Sequence, residues 1–429
     1  MIHESQLNHR VQALEPSATL KINELSQQLI KEGRDIIRLG LGQSPFPVPD
    51  IVVKSLKKHA HEKDYLPVRG LQALRQSVAD YYQRRECLEI DADSVLIGPG
   101  SKELLFNIQM ACQAELILSA PSWVSYVPQA LMLGRKVRYL PTEMENQWQV
   151  SPKQLEQLPP PGDEIRFLLL NYPSNPTGSS YDPDSLKALA DVARKQKIII
   201  IADEIYGETR FVGQHCSMAG FYPEGTIISG GLSKWCGAGG WRLGAMIFPK
   251  ELRRVQDAMA VIASETFTST SAPIQYAACT AFSESSEINL YLERSRQVLA
   301  LIARFMVDSL RAVGLKMADP VGGFYLFVSF ETFREQLMAR GLKTSGELCN
   351  NLLSDTGIAV LPGSDFGLMA DQLFVRMAFV DFDGGKALAA VAEGQYDPDV
   401  FVQQYCPKLY EACQRIKQWL VSSGKDNKE

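Results

Sequence analysis

Four polar side chains stand just beyond apolar runs in the middle of the chain. Asn175 lies in NYPSNPTG (171–178), Asp203 and Tyr206 in ADEIY (202–206), and Lys234 in SGGLSKWCGAGGWRLG (229–244). Ligands of wound α/β sheets bind beyond the carboxyl ends of strands, so these four can converge on one site. Taken singly, each has a bland reading: a solvated lysine, a capping aspartate, a Pro-Thr-Gly turn. Taken together, in this order, they form a specific pattern. Nucleotide chemistry does not explain it. GPGSKE (98–103) has Gly-Ser-Lys where a P-loop needs Gly-Lys-Ser/Thr. GLGQSP (40–45) lacks the third glycine of a dinucleotide fingerprint, and CGAGGWRLG (236–244) has the wrong spacing. Around Ser233 the chain reads GGLSKW, with tryptophan where a nucleophile elbow needs glycine.

Positioning such residues requires strands that end at one level. Runs at 95–97, 116–119, 165–171, 198–202, 226–229 and 243–248 are apolar at successive positions, as strands buried on both faces are. Helical patterns at 101–112, 122–133, 183–195 and 250–263 lie between them, with Asp182 and Pro183 forming a helix start. This alternation predicts an α/β fold, a wound and mostly parallel sheet covered by helices. The last third reads differently. A helical region over about 272–312 leads into GGFYLFVSF (322–330), GIAVL (357–361) and LFVRMAF (373–379), a smaller α+β unit with its own strands. The stretch 36–42 can pack with either unit.

The 429 residues suffice for two or three domains, and 45% hydrophobic with 22% charged residues is ordinary globular composition. A net charge of −5 argues against a broad nucleic-acid surface. No apolar run reaches membrane-helix length, and the start MIHESQLNHRVQ lacks a secretory apolar stretch, so the cytoplasm is expected. None of the eight cysteines forms a C-x-x-C pair, and they read as mostly reduced, buried thiols. The histidines (3, 9, 59, 61 and 215) show no zinc arrangement, and no metal is expected.

The ordered motifs resemble the pyridoxal-phosphate-dependent aminotransferases of class I, fold type I, over about residues 10–380. RVQALEPSAT (10–19), YLPVRG (65–70), PSWVSY (121–126), NYPSNPTG, DEIY and LSKWCGAGGWRLG (232–244) bring the chain nearest to the prokaryotic-type aspartate aminotransferase branch. The resemblance implies pyridoxal 5'-phosphate as cofactor, with Lys234 holding its aldehyde as a Schiff base and then acting as base and acid. It places Asp203 at the pyridine nitrogen, Tyr206 and Asn175 at the phenolic oxygen, and Trp123 on the ring face. Arg242, Ser233, Gly100, Ser101 and Lys102 would hold the phosphate, the last three from a helix start. Tyr65 would reach the phosphate from the other subunit of a homodimer. Arg376 would grip the substrate α-carboxylate, with Gly42 nearby, and Ser17 and Thr19 would form a substrate-contacting arm. Lys102 matches a lysine that reads the distal carboxylate of an acidic substrate.

These matches imply ping-pong transfer of an amino group from an amino acid, with aspartate and glutamate as candidates, to a 2-oxo acid. The implied division is an N-terminal arm and small-domain segment (1–45), a large cofactor-binding domain (46–300) and a small C-terminal domain (301–429). Broad aromatic and aliphatic specificity is one alternative, and a β-eliminating lyase on the same cofactor is another. A DNA-binding regulator lacks room for its module before the motifs begin. A dehydrogenase lacks its glycine pattern. Two stretches depart from the family: the join from Cys112 to Leu116 is short, and GQYDPDVFVQQYCPKL (394–409) matches nothing placed.

Overall fold

The computed structural model describes residues 6–422, apart from 13, 161 and 163. His3 and Ala13, included in the sequence readings above, lie outside the described residues. The expected apolar runs form the strands of the central sheet: β2 (Val95–Gly98), β3 (Ala114–Ala120), β5 (Ile165–Asn171), β6 (Ile199–Asp203), β7 (Thr226–Gly231) and β8 (Gly244–Ile247). They follow β1 (Ile37–Arg38) in the chain, and β4 (Val137–Pro141) completes seven strands in the order β2-β8-β7-β6-β5-β3-β4. All neighbours run parallel except β8, which is antiparallel to both β2 and β7. Helices cover both faces of the sheet, and β2, β7 and β8 are buried along their whole length.

The edge strand β4 was not expected. Its sequence VRYLP mixes a charge and an exposed tyrosine, and only Leu140 is fully buried, so it lacks the continuous apolar signal of the interior strands. The helix Pro183–Lys195 starts as expected, with the Asp182 carboxylate accepting the Ser185 N–H at 2.8 Å. Residues 122–125 form a turn before the helix Tyr126–Met132. The helical region 272–312 divides into Ala272–Ala281 and Ser286–Arg311, because Ser285 caps a new helix by accepting from Ile288 N–H.

The remaining strands are β9 (Tyr325–Ser329), β10 (Ile358–Ala359), β11 (Leu361–Pro362) and β12 (Phe374–Ala378). β11, β12 and β9 make a three-stranded antiparallel sheet, while β1 pairs in parallel with β10. The stretch 36–42 therefore joins the C-terminal strands. Ile37, Val328, Ile358 and Val375 share one core with the helix Ser286–Arg311. The unplaced segment 394–409 forms the helix Pro398–Tyr405, started by the Asp397 carboxylate. Its Phe401 and Val402 are fully buried in that same core, so the segment widens the hydrophobic base under the smaller sheet. The short join is a direct passage from the helix Ser101–Ala111 through Cys112 into β3. Cys112, Cys236, Cys349, Cys406 and Cys413 are buried. Among the described residues, no helix is long and apolar enough to cross a membrane.

Candidate active site

Strand register creates the site. Asn171 at the end of β5 pairs with Asp203 at the end of β6, which pairs with Ser229 in β7. The carboxyl ends of β5 and β6 thus finish at the level of Ser229, two residues before β7 ends, and a cavity of about 360 Å³ opens over them. Alternation along the chain after β6 sends Asp203 into the cavity and Glu204 away from it. Glu204 instead accepts from Tyr172 and Ser217 hydroxyls on the other side. Asp203, Tyr206, Asn175 and Lys234, the four residues of the sequence pattern, all line the cavity.

Charge in the cavity is one-sided. Lys102, Lys234, Arg242 and Arg376 line it, and Asp203 is the single carboxylate among the lining residues. This arrangement suits a ligand with several negative charges and one cationic point. Asp203 is buried; its Oδ2 accepts from the Tyr126 hydroxyl at 2.6 Å, while its Oδ1 has no hydrogen-bond partner among the described residues. Burial pushes its carboxyl up to about 6, against the pull of Tyr126. Lys234 Nζ donates to the Gly42 carbonyl at 2.9 Å. Burial, and then the guanidinium of Arg376, bring the Lys234 ammonium down to about 8. An amine in that range is half neutral near pH 8, the state a nucleophile requires.

Arg376 on β12 is completely buried between the rings of Tyr325 and Phe366, 4.9 and 5.1 Å from its guanidinium carbon. It donates to the Asn175 side-chain oxygen at 3.2 Å and to the Gly40 carbonyl, and its Nε is unpartnered among the described residues. A buried guanidinium with an open donor is prepared for an incoming carboxylate. Arg242 holds the loop before the helix Ser101–Ala111 by donating to the Pro99 carbonyl, and it also donates to the Gly239 carbonyl. Gly100, at φ +95°, is needed there: a Cβ would fall 2.2 Å from an Arg242 nitrogen. No side chain caps this helix, so its first N–H groups remain for an anion beside Ser101 and Ser233. Lys102, in the first turn, lies over the Trp123 ring at 5.3 Å, and burial lowers its pKa.

Trp123, Ser101, Lys102, Ser233, Arg242, Arg376, Gly42 and Thr19 line the cavity with the four pattern residues. Gly100 adjoins it through Arg242. Ser17 does not line it; its hydroxyl hydrogen-bonds that of Thr19 at 2.9 Å. Tyr65 is 88% exposed and does not line it either. Three participants had no separate signal in the sequence. Asn171 locks the turn by donating to the Asp203 carbonyl and accepting from Asn175 N–H. Tyr126 orients Asp203, and Tyr325 meets Tyr206 hydroxyl to hydroxyl. PSWVSY contained Tyr126 all along, three residues after Trp123, but only the fold shows where its hydroxyl goes.

Comparison with known proteins agrees with this geometry. Residues 34–384 match the family described as aminotransferase class I and II. The chain is 33% identical over 374 residues to an aspartate aminotransferase of Geobacillus stearothermophilus, covering 84% of this chain and 92% of that one. It is 29% identical over 365 residues to an aspartate/prephenate aminotransferase of Thermus thermophilus, covering 84% and 91%. The solved structure of a Thermus thermophilus aspartate aminotransferase with maleate superposes with a TM-score of 0.82 at 27% identity, over 96% of this chain and 99% of that one.

Proposed function

The chain belongs to aminotransferase class I and II, and on that premise we propose that pyridoxal 5'-phosphate is its carrier and acidic amino acids are its donors. The observation that carries the reading is the convergence of Lys234, Asp203 and Arg376 on one cavity whose other charged lining residues, Lys102 and Arg242, are cations. The residues present fit the cofactor. The unpartnered Asp203 Oδ1 suits a protonated ring nitrogen, and the loop of Gly100, Ser101, Ser233 and Arg242 suits a phosphate. Tyr206 and Asn175 suit the phenolic oxygen, and Trp123 the ring face. When bound, the cofactor supplies an aldehyde that joins amines and a cationic ring that accepts the electron pair left at the α-carbon.

The chain's own groups do the rest. Arg376 holds the α-carboxylate and so fixes the bond from the α-carbon to its hydrogen. Lys234 Nζ, once free, would take that proton from the α-carbon and act in turn as the acid. Asp203 would stand opposite the ring nitrogen and favour its protonated form. A donor amino acid leaves as its 2-oxo acid, and a second 2-oxo acid leaves as an amino acid.

Lys102 supports the acidic class, since its ammonium lines the cavity, over the Trp123 ring. Lys102→Leu is expected to weaken aspartate and glutamate by roughly 2–4 kcal/mol in kcat/KM, as for a lost charge-assisted contact, and to spare apolar donors. Steady-state rates with both donor classes check this, and equal losses would assign Lys102 to the phosphate or the fold. Broader specificity has its own support: Leu20 and Leu41 also line the cavity, so a ring-bearing donor or a 2-oxo acid such as prephenate can find apolar contact there. Incubating donor with a 2-oxo acid separates transfer, which yields a new amino acid, from elimination, which yields ammonia.

We also propose a cytoplasmic homodimer that completes each site. Tyr65 is nearly fully exposed and outside the cavity, so its phosphate contact requires a second copy. Ser17 and Thr19 fit an arm that closes over the substrate. Mixing an inactive Tyr65→Ala chain with inactive Lys234→Ala chain should restore activity, since one site of each mixed dimer is intact. No recovery would mean that each chain carries a whole site. The domain limits read from sequence (1–45, 46–300, 301–429) remain our proposal, supported by β1 pairing with β10, with the helix Ser286–Arg311 running unbroken through residue 300.

A further inference from the structure

Tyr325 opens β9 and belongs to none of the motifs that point to the cofactor, yet it is among the most tightly held groups in the cavity. Its hydroxyl lies 2.7 Å from that of Tyr206, with the two rings edge to face at 5.6 Å. Three neighbours fix it there. Gly42 leaves the notch the hydroxyl occupies, since a Cβ at that position would fall 1.9 Å from Tyr325 Oη. Arg376 lies against the ring at 4.9 Å, and Phe324 packs beside it at 4.9 Å. The side chain is buried, so water does not compete for the hydroxyl.

A tyrosine hydroxyl has one proton to donate and lone pairs with which to accept. If Tyr206 commits its proton to the cofactor's phenolic oxygen, the 2.7 Å contact allows one arrangement, in which Tyr325 donates and Tyr206 accepts. We propose that Tyr325 is a positioning residue: it donates to Tyr206 Oη, aims the Tyr206 proton at the phenolic oxygen and strengthens Tyr206 as a donor. The inference rests on the placement of Tyr206 given above. Hydrogen bonds in series polarise one another, and the guanidinium on the face of Tyr325 makes its hydroxyl a better donor. Because Arg376 also binds the substrate carboxylate in this reading, Tyr325 places the phenolic oxygen and the carboxylate grip in one connected unit.

A donor to the phenolic oxygen stabilises its anion, so it lowers the pH at which the bound cofactor's absorbance changes. Spectrophotometric pH titration of the cofactor-loaded protein therefore reads the effect without turnover. Tyr206→Phe should raise the midpoint by about one to two pH units, and Tyr325→Phe by roughly half a unit to one. The double variant should titrate with Tyr206→Phe, because Tyr325 acts only through Tyr206. Phenylalanine keeps the ring packing, so a loss of fold is not expected at either position. A midpoint unmoved by Tyr325→Phe, beside a raised one for Tyr206→Phe, would overturn the role of Tyr325 alone. Additive shifts in the double variant would overturn it too, by showing a separate route to the cofactor. An unmoved midpoint in Tyr206→Phe would instead overturn the placement of Tyr206, and the inference with it.

Discussion

Lys234→Ala is expected to lower turnover by at least roughly four powers of ten while leaving a chain that still takes up the cofactor. The lysine has two tasks in the account, covalent attachment and proton transfer at the substrate α-carbon, and alanine performs neither. Binding survives because Arg242, the open helix start at Ser101 and the Asp203 carboxylate lie elsewhere on the cavity wall. Absorbance of the dialysed variant measures uptake, and the amino-transfer assay measures turnover. The electrostatics add a second reading. Burial and the neighbouring guanidinium bring the wild-type amine to about 8, so attachment to the empty chain should quicken as pH rises through that value. A turnover loss of less than tenfold would place the chemistry on another group.

Asp203→Asn should cost three to five powers of ten in amino transfer, roughly 4–7 kcal/mol of barrier. Asparagine keeps the shape and still meets Tyr126, but it has no charge with which to hold a proton on a ring nitrogen. Stability should move the opposite way. In the empty fold, burial raises the Asp203 carboxyl from 3.8 to about 6. Across that window the folded chain holds a proton that the unfolded chain has lost, so the empty fold loses stability as pH rises through it. Asp203→Asn removes the buried charge, and the empty variant should melt higher than the empty wild type at pH 7. Activity near normal, with no gain in melting temperature, would reduce Asp203 to a cap.

The parts of this site that were legible in the sequence are those that repeat a local pattern. Apolar runs followed by Asn, Asp and Lys mark strands feeding a ligand edge; β5 ends where its run ends, and β6 and β7 end one and two residues beyond theirs. Asp182 before Pro183 announced its helix in the same local way. What was not legible depends on partners distant in sequence. Tyr126 meets Asp203 across 77 residues, and Tyr325 meets Tyr206 across 119. Ile205 and Tyr206, just after β6, share one core with the smaller antiparallel sheet, and that packing brings the second pair together. Gly42, which the resemblance places near the substrate carboxylate, has two further tasks that only the fold shows: its carbonyl accepts from Lys234, and its missing side chain makes room for Tyr325. The strand β4 escaped notice because an edge strand with one buried side chain carries little of the signal that marks a strand. Tyr65 shows the reverse case. The family resemblance singled it out, but one chain alone leaves it in solvent.

The central claim is that Lys234 carries the cofactor in this cavity. Borohydride reduction of the loaded protein fixes the cofactor to whichever amine it is joined to, and peptide mapping then locates it. The pyridoxyl group is expected on the peptide containing Lys234, with Lys102 and the other lysines unlabelled. Label on any other lysine, or none after full loading, would contradict it.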